Sequence, residues 1–248
     1  MFTTTEIEVI NQVPSTLATN NIAAAQAGVV GAVTLVSSSG AGITVGASTL
    51  NANTGQTVTG LLAIDGATAS VGFGDVGFQT LNAWDARTLI ARNIRITSAG
   101  NDSAATATIK GFDIYGTPMT ETQTLTNASV TAGKKAFKYI QSVTLAGTLS
   151  GGNVSVGTGD VIGLPLKADQ FGHLYIIYNN AVITAPTGQG TYTAPDATSP
   201  ATATTGDVRG SYTLASASDG TKRLQVFVVI PAYNVNSITG LFGVTQFS

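Results

Sequence analysis

The chain has 248 residues and no cysteine, so disulfides, thiolate catalysis and thiolate metal sites are excluded. Only 10% of its residues are charged, against a typical value of about 25%, while 43% are hydrophobic. A net charge of −2 favours no electrostatic partner of either sign. A surface made of Gly, Ala, Ser and Thr is weakly protected by like-charge repulsion, which points to ordered self-association or to docking on a larger body.

In chain order, the opening "MFTTTEIEVINQV" lacks a basic segment followed by an apolar run, and no stretch of about 18 apolar residues occurs anywhere. The expectation is therefore no secretory signal and no membrane span. Residues 1–30 read as an N-terminal arm, with Asn20 or Asn21 capping a short Ala-rich helix in "NNIAAAQAGVVGAV" (20–33). Residues 31–248 read as one all-β domain. "ITVGASTL" (43–50), "ARNIRITS" (91–98), "SYTLAS" (211–216) and "RLQVFVVI" (223–230) alternate as strands, with turn residues between them at the spacing of a sandwich or barrel. Trp84, in "QTLNAWDARTLIARN", reads as part of a loop entering a strand.

Two hairpins are expected. Tyr115-Gly116-Thr117-Pro118 joins "TIKGFDIY" to "MTETQTLT", and Asp219-Gly220 supplies the positive φ that a tight turn between "SYTLASAS" and "TKRLQVFVVI" demands. The segment 184–207 holds Pro186, Pro195 and Pro200 among small polar residues and reads as a long projecting loop.

The stretch "GGNVSVGTGDVIGLPL" (151–166) is the most motif-like. A phosphate loop needs Lys and then Ser or Thr after its second glycine, whereas here Asp160 stands where the phosphate would sit. Gly157, Gly159 and Gly163 are also one residue out of step with a dinucleotide fingerprint, and Pro165 replaces the helix start. Two strands around a Thr158-Gly159-Asp160 turn are expected instead.

Other chemistry fares no better. His173 is the only histidine and reads as a strand residue near an edge, and no serine sits in a nucleophile elbow. The aspartates that could be paired for glycoside hydrolysis, Asp65 with Asp75 or Asp102 with Asp113, lack aromatic platforms, and Asp65 and Asp102 read as turn residues. Lys134, Lys135 and Lys138 read as a solvated strand end, so no nucleic-acid partner is expected. Thr120, Thr122, Thr124 and Thr126 share one strand face opposite Met119, Glu121, Gln123 and Leu125; β-propensity of threonine accounts for the row. The reading assigns no catalytic, cofactor or metal residue and no enzyme activity.

The order of landmarks "ARNIRITSAG", "IKGFDIYGTPMTET", "KKAFKYIQSVT", "VSVGTGDVIGLPL", "GDVRGSYTL" and "DGTKRLQVFVVI" resembles that of a family of tailed-bacteriophage virion proteins carried near head genes. The likeness covers about 88–230. Its most specific parts are Gly157-Thr158-Gly159-Asp160 with Gly163-Leu164-Pro165, and Asp207-Val208-Arg209-Gly210. The resemblance implies a jelly-roll-like β-sandwich in the virion, a decoration or cement protein on the outside of the capsid. Its partners would be the major capsid protein and copies of itself, as a trimer if it sits at local three-fold positions. Expected contact residues are Leu241, Phe242, Val244 and Phe247 in the apolar end "SITGLFGVTQFS". Alternatives are another virion role (head fibre base, minor tail component or major shell subunit), or a carbohydrate-binding module in which Tyr192 stacks on a sugar.

Overall fold

A computed structural model describes residues 4–33, 35, 43–49, 57–64, 67–68, 84–85, 90–167, 173–178, 181–183, 190–231 and 241–246. Among these residues there is no helix, and every strand pairing is antiparallel. Alternation builds the strands, as in "ATATIKGF", where Ala105, Ala107, Ile109 and Gly111 face inward and Thr106, Thr108 and Lys110 do not.

A four-stranded sheet runs in the order β1 (Thr4–Gln12), β18 (Leu224–Pro231), β14 (His173–Tyr178), β15 (Ala181–Ile183). A five-stranded sheet runs β10 (Pro118–Thr124), β9 (Ala105–Phe112), β12 (Tyr139–Gly147), β3 (Gly31–Ala32), with β7 (Trp84–Asp85) also on β12. A six-stranded sheet runs β11 (Val130–Phe137), β8 (Arg92–Ser98), β13 (Asn153–Gly163), β17 (Ser211–Leu214), β16 (Gly190–Thr193), with β2 (Ala23–Ala27) also on β13. The last sheet is β4 (Ile43–Thr49), β5 (Thr57–Ile64), β6 (Ala67–Thr68).

Two cores organise the three larger sheets. The first takes Ile94, Ile96, Val154 and Val156 from the six-stranded sheet and Ile109, Met119, Ile140, Val143 and Leu145 from the five-stranded one. The second takes Ile162, Tyr212 and Leu214 from the six-stranded sheet and Ile10, Ile176, Leu224 and Val226 from the four-stranded one. The strand β13 serves both cores.

That corrects the expectation of two strands around a turn. Asn153–Gly163 is one strand, and its pairing with β8 shifts between Thr158↔Ile94 and Ile162↔Arg92, so β13 carries two extra residues there. The bulge bends the strand and re-aims its side chains, which lets one strand leave the first core and enter the second. Glycine is required where other groups come close. A Cβ on Gly157 would strike the backbone oxygen of Ala18, and one on Gly159 would strike the Asn93 amide.

The Tyr115–Pro118 hairpin forms as expected: Pro118 pairs with Phe112, Gly116 has φ +75°, and Asp113 Oδ1 accepts from the amides of Tyr115 and Thr117 at 2.8 and 2.9 Å. The Asp219-Gly220 hairpin does not. The turn exists, with Gly220 at φ +78° and Asp219 Oδ1 accepting from the Thr221 and Lys222 amides, but β17 and β18 belong to different sheets. Nine residues separate Leu214 from Leu224, enough to cross between sheets, and burial of Leu224 and Val226 in the second core decides the destination.

Most of the stretch expected as an N-terminal arm lies on the sheets. Its Thr4–Gln12 pairs along β18, Leu17 N donates to Ser218 O at 2.9 Å, and Ala23–Ala27 pairs with β13. The Ala-rich run is therefore a strand and not a helix. An isolated helix this short is marginal, whereas Ile22 and Ala23 gain complete burial in the first core. Nor does the Pro-rich segment project where it is described, from 190 onward. Gly190–Thr193 pairs with β17, and 196–207 closes on itself through Asp196 N→Asp207 O at 2.9 Å. It then covers the β10 edge through Thr122 N→Ala203 O at 2.7 Å. His173 opens β14 and pairs with Val229 of β18, whereas β15 faces only Ile176, Ile177 and Tyr178, so no described strand lies on the other side of His173. Asp65, Asp75 and residues 184–189 fall outside the described residues.

Candidate contact surface and the polar network beneath it

The C-terminal segment 241–246 is docked by main-chain hydrogen bonds, Lys167 N→Leu241 O at 2.9 Å and Ala201 N→Thr245 O at 3.0 Å. This leaves Phe242 51% exposed beside Tyr115, 50% exposed, with ring centroids 5.2 Å apart and an interplanar angle of 80°. Edge-to-face contact is the arrangement favoured by the ring quadrupoles. Leu241 and Val244 are half-buried, and Phe247 lies outside the described residues. Tyr192, on β16, packs instead against the second core, so the structure does not bring it to this surface. The other large exposed apolar side chains among the described residues are Val29 and Val30.

The aromatic pair stands on a rigid base. Tyr115 Oη donates to Pro165 O at 2.9 Å, and the Arg209 guanidinium lies 5.3 Å from the Tyr115 ring centre. Arg209 is itself buried, with Nη1 2.9 Å from Asp113 Oδ2 and Nε donating to Leu164 O at 3.1 Å. Leu164 N donates to Gly210 O at 3.1 Å. Gly163-Leu164-Pro165 and Asp207-Val208-Arg209-Gly210 thus meet directly under the exposed rings. Burial raises the Tyr115 phenol above its ordinary value, against the opposing pull of Arg209, so it remains a donor at neutral pH.

A second cluster lies where the 196–207 segment crosses β11. The register of β11 on β8 shifts between Ala132↔Arg95 and Ala136↔Asn93, and this bulge breaks the alternation: Gly133, Lys135, Ala136 and Phe137 are all buried. Lys135 and Lys138 are consequently interior, not part of a solvated strand end, and only Lys134 of the three faces water. Glu121 Oε1 accepts from the amides of Lys134 and Lys135 at 2.5 and 3.2 Å, and Asp207 Oδ2 from that of Ala136 at 3.1 Å. Burial raises the carboxyls of Glu121 and Asp207 and lowers the Lys135 ammonium. The inward face of β10 therefore carries Glu121 and Gln123 between Met119 and Leu125, a burial of charge that alternation alone does not announce.

A third cluster ties the bulges to β8. The buried Asn93 donates from Nδ2 to Gly133 O at 2.9 Å and accepts at Oδ1 from Val161 N at 3.0 Å, bridging the bulge of β11 to that of β13. Asn93→Ala leaves both backbone groups without these partners in the interior. It is expected to cost about 2–4 kcal/mol, measured as a shift in urea midpoint at unchanged slope.

Asp102 organises the opposite end of β9. Its carboxylate accepts from Ser150 N at 2.7 Å, from Ser150 Oγ at 2.9 Å and from Ser98 Oγ, and the Ser150 amide above all holds its pKa below the ordinary value. A depressed folded-state value means that the stabilisation is present above the unfolded value of about 3.9 and is lost as pH falls through the folded one. Asp102→Asn is expected to cost about 1–3 kcal/mol at pH 7, and the gap to the native chain should narrow below pH ~4 in denaturant titrations. Asp102 and Asp113 flank the whole of β9, roughly 25 Å apart, so they do not form a paired-carboxylate site. Among the described residues, no group of three or more His, Cys, Asp or Glu side chains is arranged to hold a metal ion.

No family model, curated protein or solved structure matches this chain.

Proposed function

We propose that the chain is a virion structural protein of a tailed bacteriophage, a decoration or cement protein that binds the outer surface of the head and stabilises it. On this reading it is a jelly-roll-like β-sandwich that acts as a homotrimer on the major capsid protein and works by binding, without catalysis. The observation that carries the reading is the Phe242–Tyr115 pair: two half-exposed rings held on a buried ion pair and main-chain hydrogen bonds. A surface pre-organised in this way loses little side-chain freedom on docking, which is what a long-lived contact with a lattice requires. Low charge elsewhere leaves association to apolar and main-chain contacts. The N-terminal stretch extends the reading, since a terminal segment that forms the outer strand of a sheet is the kind of element that neighbouring subunits also engage.

The test is a reconstruction of intact particles together with omission of the gene. Density for this chain on the outside of the head, and formed but fragile heads in its absence, is the expected result, because a ligand of the native shell stabilises it by mass action. Failure of heads to assemble would make it a shell subunit. Density confined to the tail, or absence from particles, would overturn the reading.

A further inference from the structure

We propose that the ε-amino group of Lys135 condenses with the side-chain carboxyl of Asp207 to form an intramolecular isopeptide bond, with Glu121 relaying the proton. Lys135 is 0% exposed, and its Nζ makes no hydrogen bond. A buried ammonium without partners is strongly disfavoured, so the amine is driven towards its neutral, nucleophilic form. Two carboxyls are fixed on the amides around it, Glu121 on Lys134 and Lys135 and Asp207 on Ala136. With standard backbone lengths, Asp207 Oδ2 lies no more than about 5.5 Å from Lys135 Cα, and Glu121 Oε1 no more than about 4.7 Å. Both fall within reach of the flexible four-carbon arm of lysine.

Burial acts on each reactant in the direction the step needs, lowering the amine and raising both acids. The Nζ lone pair adds to Cγ of the protonated Asp207, forming the N–C bond. A proton passes from Nζ through Glu121 to a hydroxyl of the tetrahedral adduct, and that hydroxyl leaves as water. One amide is made and one water is released; nothing is oxidised or reduced. Glu121 suits the relay because its oxygens are already held by three donors, the third being Gln123 Nε2 at 3.1 Å. Asp207 suits the acceptor because it is buried at the base of the 196–207 segment, where its backbone carbonyl oxygen accepts from Asp196 N. The bond fastens that base to the edge strand β11. This inference does not depend on the virion reading.

Intact mass of the purified full chain, with removal of Met1 allowed for, is expected to fall short of the sequence mass by one water. A tryptic digest should then contain a branched peptide joining the Lys135 and Asp207 segments, with no cleavage after Lys135. Lys135→Met and Asp207→Ala should each restore the full mass whether or not they fold, and Glu121→Gln should leave a mixture of the two masses. A native chain of full sequence mass overturns the proposal. So does a water loss that maps to a succinimide at Asp219-Gly220, or to a link between Lys135 and Glu121.

Discussion

Arg92→Met is expected to destabilise the fold by about 3–5 kcal/mol, the range found when one partner of a buried ion pair is removed. Arg92 is almost wholly buried, and its guanidinium ties three separate parts of the chain to β8. Nη2 reaches Asp160 Oδ1 and Ser218 Oγ, both at 2.8 Å; Nη1 reaches Ser15 O at 2.6 Å and Ser15 Oγ at 2.9 Å; Nε reaches Gly159 O at 2.6 Å. Methionine fills much of the volume but satisfies none of these acceptors, and it strands the Asp160 carboxylate at the point where β13 passes between the two cores. The loss should appear as a lower urea midpoint, with the N-terminal stretch around Ser15 and the segment around Ser218 becoming open to protease before the rest. Asp160→Asn, which keeps an acceptor for Arg92, should cost less than half as much. Equal losses for the two variants would mean that the guanidinium's backbone bonds matter little.

On the proposed virion role, Phe242→Asp is expected to weaken binding to assembled heads by about 30-fold or more, since truncated central aromatics commonly cost 2 kcal/mol or above at an interface. The ring is half exposed and donates no hydrogen bond, so its effect on the isolated fold should stay near the value of one edge-to-face contact, about 1 kcal/mol. Head binding by co-sedimentation and the thermal midpoint, measured on the same preparation, separate the two effects. Binding equal to that of the native chain would remove Phe242 from the contact surface. A loss of stability larger than the loss of binding would make the residue a structural one. Tyr192→Ala is expected to behave in the second way, because that side chain packs on the second core.

Much of this architecture could be read from local pattern. The period of two in Ala105–Phe112, Arg92–Ser98 and Leu224–Pro231 marks strands because alternate side chains leave opposite faces of a sheet. The Tyr115–Pro118 turn was legible because Gly116 and the Asp113 side chain act within a few residues of each other. Of the exposed aromatic pair, Phe242 was visible as an apolar residue in an apolar tail. Its partner Tyr115 was not, because their meeting depends on Lys167, Ala201 and Val208 receiving the tail.

Sequence by itself thus determined the strand-rich composition, the position of several strands such as Arg92–Ser98 and Leu224–Pro231, the Tyr115–Pro118 turn and the mismatch of the glycine stretch with a phosphate loop. Tertiary structure alone decided that Thr158–Asp160 is a bulge inside one strand, that Asp219-Gly220 leads to another sheet, and that Lys135, Glu121 and Asp207 share one interior site. The division has a single physical reason. Turn chemistry and alternation are satisfied by neighbours in the chain, whereas bulges, strand partners and buried charges are settled by groups tens of residues away, which become neighbours only once both cores have closed.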